Sequence, residues 1–234
     1  IPGMTNRWLA KVANRVLEAF PGSFPASRKL FHTGNPVRQS ILHIDKPAQR
    51  FAQRQGPVRV LVIGGSLGAV ALNECVPAAM ALLEPALRPE VWHQAGRQKL
   101  DATQARYMQA GVEARIAEFI SDMDAAYAWA DLLICRAGAM TISEISNVGI
   151  AAILVPYPHA VDDHQTANAR YLSEVGAAIL LQQIELTPQR LASELTALIT
   201  AGREHLRDMA DKALSLAKPN ATQDVVEHCL AVAL

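Results

Sequence analysis

The sequence predicts an α/β domain built on a doubly wound parallel sheet, and three observations support this fold class. After Gly56 and Pro57, short β-branched runs alternate with polar or glycine turns and with amphipathic helical stretches. The runs LLIC and AILVP are apolar at nearly every position, as in strands that are buried on both faces by covering helices. With 234 residues, half of them apolar, the chain is long enough to form such a core.

The predicted elements alternate along the chain from residue 58 onward. The strands are predicted at 58–63, 90–93, 114–119, 131–135, 152–155 and 177–181. The helices between them are predicted at 71–83, 99–110, 123–130, 142–148 and 165–175. From Pro188 the pattern predicts two or three further helices and no strand, with helices at 204–216 and 222–232.

Residues before Gly56 have a different character. MTNRWLAKVANRVLEAF predicts a helix followed by a short strand, and Pro21, Pro25, Pro36 and Pro47 then interrupt the chain. Two interpretations remain open, a linker that follows another domain or an N-terminal arm packed on the α/β domain. The predicted divisions are an N-terminal tail at 1–33, a linker at 34–56, the sheet domain at 57–200 and C-terminal helices at 201–234.

Composition argues against several functional classes. Lys plus Arg and Asp plus Glu both number 22 and no long run of like charge occurs, so nucleic acid is not an expected partner. Cys75, Cys135 and Cys229 are far apart, which predicts neither a zinc site nor a disulfide framework and fits a reducing compartment. No apolar run approaches the ~18 residues of a membrane span, so we expect a cytoplasmic protein that is soluble or at most peripheral.

The stretch VLVIGGSLGA contains a glycine turn that fits several interpretations. Gly64 to Gly68 matches the G-x-S-x-G pattern of serine hydrolases, but it follows the first strand of the sheet and no H-G-G-G precedes it. Its glycine spacing is not that of a dinucleotide site, the second strand ends in His93 and Gln94 rather than an acid, and no Gly-Lys-Ser/Thr is present. A phosphate-binding turn at a helix N-terminus remains, with a plain β-α turn as the alternative.

A second glycine turn, CRAGAMTISE at 135–144, opens a helix after the fourth strand. Amides around Ala139 to Thr141 are suited to a diphosphate, and the Glu144 carboxylate is suited to the two hydroxyls of a ribose. Thr141 and Glu144 also have the spacing of a capping box, in which they only satisfy the first N–H groups of their own helix. Spacing alone favours the cap.

Polar residues crowd around the start of the next helix, in VPYPHAVDDHQTANA. Asp162, Asp163, His164, Gln165 and Asn168 suggest a metal cluster at first sight, but adjacent residues do not all converge on one ion. Amides of this kind recognise sugar hydroxyls better than they bind metals. A solvated helix start is the alternative.

Five segments, in this order and spacing, resemble one known family. GNPVR (34–38), GGSLGA (64–69), EFISDM (118–123), CRAGAMTISE and DDHQTANA (162–169) are similar to the C-terminal portion of the bacterial transferases of glycosyltransferase family 28, the MurG family, that make lipid II. IPGMTNRWLAKVANRVLEAFPGSF resembles the end of that family's N-terminal acceptor domain. The resemblance covers essentially the whole chain and implies the Rossmann-like, donor-binding C-terminal domain of a GT-B glycosyltransferase.

The resemblance also implies roles for individual residues. The Ile120 backbone would bind the uracil base and Glu144 would bind the ribose. Ser66 and Arg38 would bind the phosphates. Gln165 would contact the sugar hydroxyls. The remaining implied residues, which line the diphosphate and sugar or belong to the same helical turn, are Ala139, Met140, Thr141, Ile142 and Ser143. The resemblance therefore implies that Ser66 binds the phosphates and is not a catalytic nucleophile.

The reaction implied by the resemblance is inverting transfer of GlcNAc from UDP-GlcNAc to the 4-hydroxyl of lipid I, with no covalent intermediate, metal or cofactor. The implied partners are UDP-GlcNAc, lipid I through an N-terminal domain that precedes residue 1, and other cell-wall synthesis enzymes. The expected base also lies in that domain, so we expect the chain alone to bind donor and transfer nothing. The full-length protein is expected to be peripheral on the inner face of the cell membrane.

Two alternative functions remain open beside the lipid II transferase. A nucleotide-binding subunit of a split glycosyltransferase would act only with a separate acceptor-binding chain, and a UDP-GlcNAc epimerase would need carboxylates around the sugar. Two residues near the implied sugar site depart from the family pattern: Leu67 stands where a glutamine is common, and His164 precedes Gln165 where some members have two glutamines.

The start of the chain leads to a further expectation. The sequence begins at Ile1 without an initiator methionine, so we expect a piece of a longer protein. Apolar side chains at helical spacing would then be buried against a preceding domain and would otherwise favour association or disorder. These residues are Trp8, Leu9, Val12, Val16 and Phe20.

Overall fold

The computed structural model describes residues 2–65, 68–158 and 163–233, and it begins with a helix and a pair of short strands. Helix α1 (Met4–Val12) ends at Ala13, whose backbone is extended. Strands β1 (Val16–Glu18) and β2 (Leu30–His32) then pair in parallel. The predicted helix followed by a short strand is therefore confirmed.

The helical spacing predicted through residue 20 is wrong beyond Val12. Val16 lies in β1, and the Phe20 ring packs on the Tyr171 ring at a centroid distance of 4.9 Å. The apolar periodicity continues past the point where the backbone leaves the helix, because Val16 pairs with Leu30 in the strand pair and Phe20 packs against the core. Trp8 and Val12 on α1 are exposed, at 64% and 81%.

The main sheet follows two short helices, α2 (Gln39–Leu42) and α3 (Pro47–Ala52). Its six strands are all parallel and lie in the order β5-β4-β3-β6-β7-β8. The strands are β3 (Arg59–Ile63), β4 (Glu90–Gln94), β5 (Arg115–Ala117), β6 (Leu132–Cys135), β7 (Ala151–Leu154) and β8 (Ala178–Leu180). Every strand predicted after residue 57 is confirmed, with ends that differ by a few residues.

Helices cover both faces of this sheet, which confirms the doubly wound α/β fold. One apolar core joins the sheet to α2, α6 (Met123–Trp129), α7 (Ala139–Val148) and α8 (His164–Ser173). The other joins it to α4 (Val70–Leu82), α5 (Leu100–Gln109) and α9 (Pro188–Leu214). The central strands are buried on both sides, as their continuous apolar runs predict.

The C-terminal helices return the chain to its beginning. Gly202 interrupts α9 with a φ of 83°, a conformation that glycine adopts without steric cost. Helix α10 (Ala221–Ala233) then reaches the β1–β2 pair, where the His228 ring packs on the Phe31 ring at a centroid distance of 4.2 Å. No helix in the described part of the chain combines the length and the apolar character that crossing a membrane requires.

Candidate functional site

The strand order reverses between β3 and β6, and a cleft opens there at the carboxyl edge of the sheet. From β3 the chain proceeds outward through β4 and β5, whereas β6, β7 and β8 extend the sheet on the other side. Ligands in open α/β sheets bind at such a switch point. The cleft has a volume of about 580 Å³. Its lining comprises Ile63, Gly64, Gly65, Gly68, Ala69, Val70, Ala71, Lys99, Arg136, Gly138, Thr141, Tyr157, Gln165 and Gln183.

The first wall of the cleft is the glycine turn after β3. Gly65 and Gly68 have φ values of 85° and 69°, and the Gly68 N–H donates to the Gly65 carbonyl at 2.9 Å. A Cβ on Gly68 would lie 2.0 Å from the Ala95 carbonyl oxygen, so glycine is required by close backbone approach as well as by conformation. Helix α4 begins directly after the turn, at Val70. Ser66 and Leu67 lie outside the described residues.

The second wall is the N-terminus of α7. The helix begins at Ala139 with Gly138 as its N-cap, and its first backbone bond runs from Ile142 N–H to the Gly138 carbonyl. The amides of Ala139, Met140 and Thr141 therefore precede the first intrahelical bond. The capping-box interpretation is wrong, because Thr141 lies inside the first turn and no side chain caps this helix. The positive ends of α4 and α7 face the same cleft, which is favourable for an anion.

Glu144 lies one turn further along α7 and has two polar neighbours. Its Oε2 accepts a hydrogen bond of 2.8 Å from the Tyr127 hydroxyl, and its Oε1 lies 3.8 Å from the Arg38 guanidinium. Burial, followed by the charge of Glu144, raises the pKa of Tyr127, so the hydroxyl remains a donor at neutral pH. Glu144 and Arg38 form a separate group beside the cleft and do not belong to its lining.

Two predicted residues on α7 point away from the cleft. The Ile142 side chain is fully buried in the core between α7 and the sheet. Ser143 donates to the Ala139 carbonyl at 3.0 Å and accepts from the Asn35 amide at 3.1 Å, so it joins α7 to the segment before α2. Met140 is half-exposed, and Ala139 lines a neighbouring cavity of about 280 Å³ against the N-terminal segment.

Ile120 is connected to the glycine turn by a residue that sequence reasoning used only to exclude a dinucleotide site. The Ile120 N–H donates to Gln94 Oε1 at 3.0 Å, and Gln94 Nε2 donates to the Gly65 carbonyl at 3.0 Å. Both Gln94 and Ile120 are buried. A polar residue at the last position of a buried strand is the signal that could have singled out Gln94.

The polar cluster at the start of α8 separates into different roles. Gln165 lines the cleft, and its Oε1 accepts from the Tyr157 N–H at 2.9 Å. Asn168 is buried and donates to the Ala137 carbonyl at 3.1 Å, which holds the turn before α7. Asp162 lies outside the described residues. Within the ranges that the structure describes, no three His, Cys, Asp or Glu side chains come close enough together to hold a metal.

Arg136 is a cationic residue of the cleft that sequence reasoning missed. Its guanidinium donates to the carbonyls of Val155 and Pro156 at 3.1 Å and to Gln183 Oε1 at 2.6 Å. Burial lowers its pKa, but an arginine remains charged at neutral pH. Its place in CRAG, directly after a strand and before a glycine, could have indicated it.

A buried polar network supports the glycine turn from behind. His93 on β4 contacts the Tyr107 hydroxyl at 2.9 Å through Nδ1 and the Asn73 side chain at 3.1 Å through Nε2. Asn73 in turn donates to the Ala95 carbonyl at 2.8 Å, the same oxygen that approaches Gly68. Burial lowers the pKa of His93 to about 3, so the ring is neutral.

Comparison with known proteins identifies the family of this chain. The family model of the glycosyltransferase family 28 C-terminal domain matches residues 59–227. A protein of Marinobacter nauticus named UDP-N-acetylglucosamine--N-acetylmuramyl-(pentapeptide) pyrophosphoryl-undecaprenol N-acetylglucosamine transferase is 54% identical over 233 residues. A protein of the same name from Cupriavidus necator is 55% identical over 229 residues.

A solved structure agrees with these relatives. The crystal structure of Acinetobacter baumannii MurG superposes with a TM-score of 0.86 at 45% identity, over 97% of this chain and 63% of that one. The chain covers 64% of the length of the Marinobacter protein and 63% of the Cupriavidus protein. The sheet, its helices and its two glycine turns thus have the architecture of a GT-B C-terminal domain. The chain belongs to glycosyltransferase family 28 and contains the C-terminal domain of that family.

Proposed function

We propose that this chain is the donor-binding half of an inverting transferase that moves GlcNAc from UDP-GlcNAc to lipid I and so makes lipid II. The names of the two relatives describe an N-acetylglucosamine transferase that acts on an N-acetylmuramyl pentapeptide linked to undecaprenol through a pyrophosphate. The donor occupies the carboxyl edge of the sheet. Lipid I and the catalytic base belong to the rest of the protein, which acts at the inner face of the cell membrane.

One observation carries this proposal: the N-termini of α4 and α7 open onto one cleft. Each supplies backbone N–H groups that precede the first intrahelical bond, together with the positive end of a helix dipole. A diphosphate fits both features at once. The same groups stabilise the negative charge that develops on UDP as it leaves, so they contribute to the transfer step as well as to binding.

The nucleoside end of the donor lies on the side of Ile120 and Glu144. The Ile120 N–H is already bonded to Gln94, so we assign its carbonyl to the uracil edge. Glu144 keeps acceptor capacity beyond its bond from Tyr127, which suits the two ribose hydroxyls. Arg38 is half-exposed beside Glu144, where its charge can approach a phosphate. Ser66 completes the phosphate contacts in this proposal.

The sugar end of the donor lies near Thr141 and Gln165. Both residues line the cleft. The Gln165 carbonyl oxygen accepts from Tyr157, so the amide nitrogen is the group that we assign to a sugar hydroxyl. Ala139 and Met140 contribute backbone N–H groups, whereas Ile142 and Ser143 support the helix from its buried side.

Calorimetric titration of this chain tests the proposal. We expect saturable binding of UDP-GlcNAc, weaker binding of UDP-glucose and no binding of NADH. Glu144→Ala should abolish the binding without loss of folding, and Glu113→Ala, which removes an exposed carboxylate before β5, should leave it unchanged. A folded wild type that binds no UDP-GlcNAc would contradict the proposal.

A second assay tests the proposal that this chain binds the donor but does not catalyse transfer. The isolated chain is expected to release no UDP when a lipid I analogue is added to saturating UDP-GlcNAc. Formation of product by this chain alone would show that the base lies within it. Activity that appears only when a separate acceptor-binding chain is added would identify the split type of glycosyltransferase.

A further inference from the structure

We propose that Gln94 is a positioning residue that fixes the distance between the nucleoside end and the diphosphate end of the donor site. This inference rests on the proposed function. Gln94 contacts no part of the proposed donor itself. It acts through the two segments that its side-chain amide connects, the glycine turn at Gly65 and the loop at Ile120.

The sheet ladder does not hold either of these segments. Gln94 is the last residue of β4 and pairs in register with Ile63 on one side and Ala117 on the other. The backbone bonds between the β4 and β5 segments continue only as far as Gly96 N–H to the Glu118 carbonyl. Gly65 and Ile120 both lie beyond these pairs, and the Gln94 side chain connects both of them to the end of β4.

The orientation of the Gln94 amide is unambiguous. The Ile120 N–H is a donor, so the Gln94 group that faces it has to be the amide oxygen. The Gly65 carbonyl is an acceptor, so the Gln94 group that faces it has to be the amide nitrogen. A side-chain amide is the group that offers both at this reach, since a carboxylate only accepts and an ammonium only donates. With 3% of its surface exposed, Gln94 has little water available to replace either partner.

This arrangement explains why two distant loops can act on one ligand. The base and the diphosphate of a UDP-sugar are a fixed number of bonds apart, so the loops that bind them have to keep a matching separation. Gln94 sets that separation from the strand between the two segments, because β4 lies between β3 and β5. Pre-organisation of this kind raises affinity by reducing the ordering that binding requires.

Two substitutions separate positioning from bulk packing. Gln94→Leu removes both hydrogen bonds, and we expect the Kd for UDP-GlcNAc to rise about tenfold or more. Gln94→Glu keeps the acceptor for Ile120 at pH 7.5 but places a second acceptor against the Gly65 carbonyl. Burial and the opposing Gly65 carbonyl raise the pKa of this carboxyl above its ordinary value of about 4.3, and once protonated it again offers one donor and one acceptor in nearly the same shape.

The test is calorimetric titration of wild type, Gln94→Leu and Gln94→Glu with UDP-GlcNAc at pH 7.5 and 5.5. The diphosphate diester of this ligand stays ionised throughout that range. Gln94→Glu should bind weakly at pH 7.5 and recover toward the wild-type Kd at pH 5.5. Gln94→Leu should be weak at both values. Gln109→Glu, which adds the same charge on the exposed side of α5, should follow the wild type.

Each outcome is decisive. Variants that bind like the wild type at both pH values would overturn the role of Gln94 and leave the proposed function intact. A Gln94→Glu variant that stays weak at pH 5.5 while remaining folded would also overturn it, because a merely structural defect has no reason to reverse on protonation. A wild type that does not bind UDP-GlcNAc would remove the proposed function and this role together. If Gln94→Leu fails to fold, the pH recovery of Gln94→Glu decides.

Discussion

The Tyr127 hydroxyl donates a hydrogen bond of 2.8 Å to Oε2 of Glu144, from the buried side of α6 to the edge of the proposed donor site. Tyr127 is almost fully buried, so its ring is fixed by packing and its hydroxyl has one direction available. Because Oε2 accepts this bond, Oε1 is the carboxylate oxygen that faces Arg38. The carboxylate is therefore held in one orientation before any ligand arrives.

Removing this hydroxyl should weaken donor binding. Tyr127→Phe keeps the ring in the core but releases the Glu144 carboxylate, so we expect the Kd for UDP-GlcNAc to rise roughly three- to tenfold. Unfolding in urea should show a loss of about 1.5–3 kcal/mol, the range for a hydrogen bond to a charged group. Tyr171→Phe, a half-buried tyrosine on α8, is the control. An unchanged Kd in Tyr127→Phe would mean that Glu144 is oriented by other groups.

Thr141 should behave as a cleft residue and not as a helix cap. Thr141→Ala is expected to change the free energy of unfolding by less than about 0.5 kcal/mol, as for substitutions away from caps and cores, while it weakens UDP-GlcNAc binding. Thr187 provides the contrast, because its hydroxyl accepts from the Arg190 N–H at 3.1 Å and caps α9. Thr187→Ala should cost about 1 kcal/mol and leave binding unchanged. Equal losses of stability in both variants would restore the capping-box interpretation.

Gly68 should tolerate no side chain, whereas another glycine with positive φ should tolerate one. Gly68→Ala places a Cβ 2.0 Å from the Ala95 carbonyl oxygen, and the backbone has to move to relieve it. Gly111 has a similar φ of 62° but nothing within 4 Å of its Cβ position. We expect about 1 kcal/mol of destabilisation for Gly111→Ala and at least about 2 kcal/mol more for Gly68→Ala, measured by urea unfolding. Equal effects would show that conformation alone selects glycine at both positions.

His93 should make the protein less stable in acid. Burial between Tyr107 and Asn73 lowers its pKa to about 3, against 6.5 for an ordinary histidine. Below pH 6.5 the unfolded chain takes up a proton that the folded chain does not, so stability falls as the pH falls toward 3. From pH 7.5 to 5.5 this residue should account for a loss of about 1.4 kcal/mol. His93→Gln should lack that part of the pH dependence in urea titrations, and an identical dependence would contradict the assignment.

The buried aspartate before β6 should be among the most sensitive positions for stability. Asp131 is fully buried, with Arg54 at 3.3 Å from Oδ1 and Arg203 at 3.1 Å from Oδ2. Asp131→Asn leaves two guanidinium groups without their counter-charge, and we expect a loss of about 3–5 kcal/mol. The exposed pair of Arg207 and Asp211 on α9 supplies the control. Asp211→Asn should cost less than about 1 kcal/mol, so comparable losses would show that burial of the pair does not set its contribution.

Only part of the candidate site could be predicted from the sequence. The glycine turns were identified because a strand, a glycine and a helix N-terminus are adjacent in the chain. Thr141 and Glu144 were ambiguous, because the same spacing fits a cap and a binding segment, and only the observed helix start at Ala139 separates the two. Gln94 and Tyr127 went unassigned, because their partners are 26, 29 and 17 residues away.

The sequence by itself determined the elements, the parallel sheet and the family, because apolar periodicity, turn glycines and ordered motifs are properties of neighbours along the chain. Only the tertiary structure decided which polar groups meet. Parallel strands bring residues 65, 94 and 120 to one edge. The placement of α6 and α7 in the fold brings a buried hydroxyl onto a carboxylate. These contacts depend on strand order and helix placement, which local patterns do not encode.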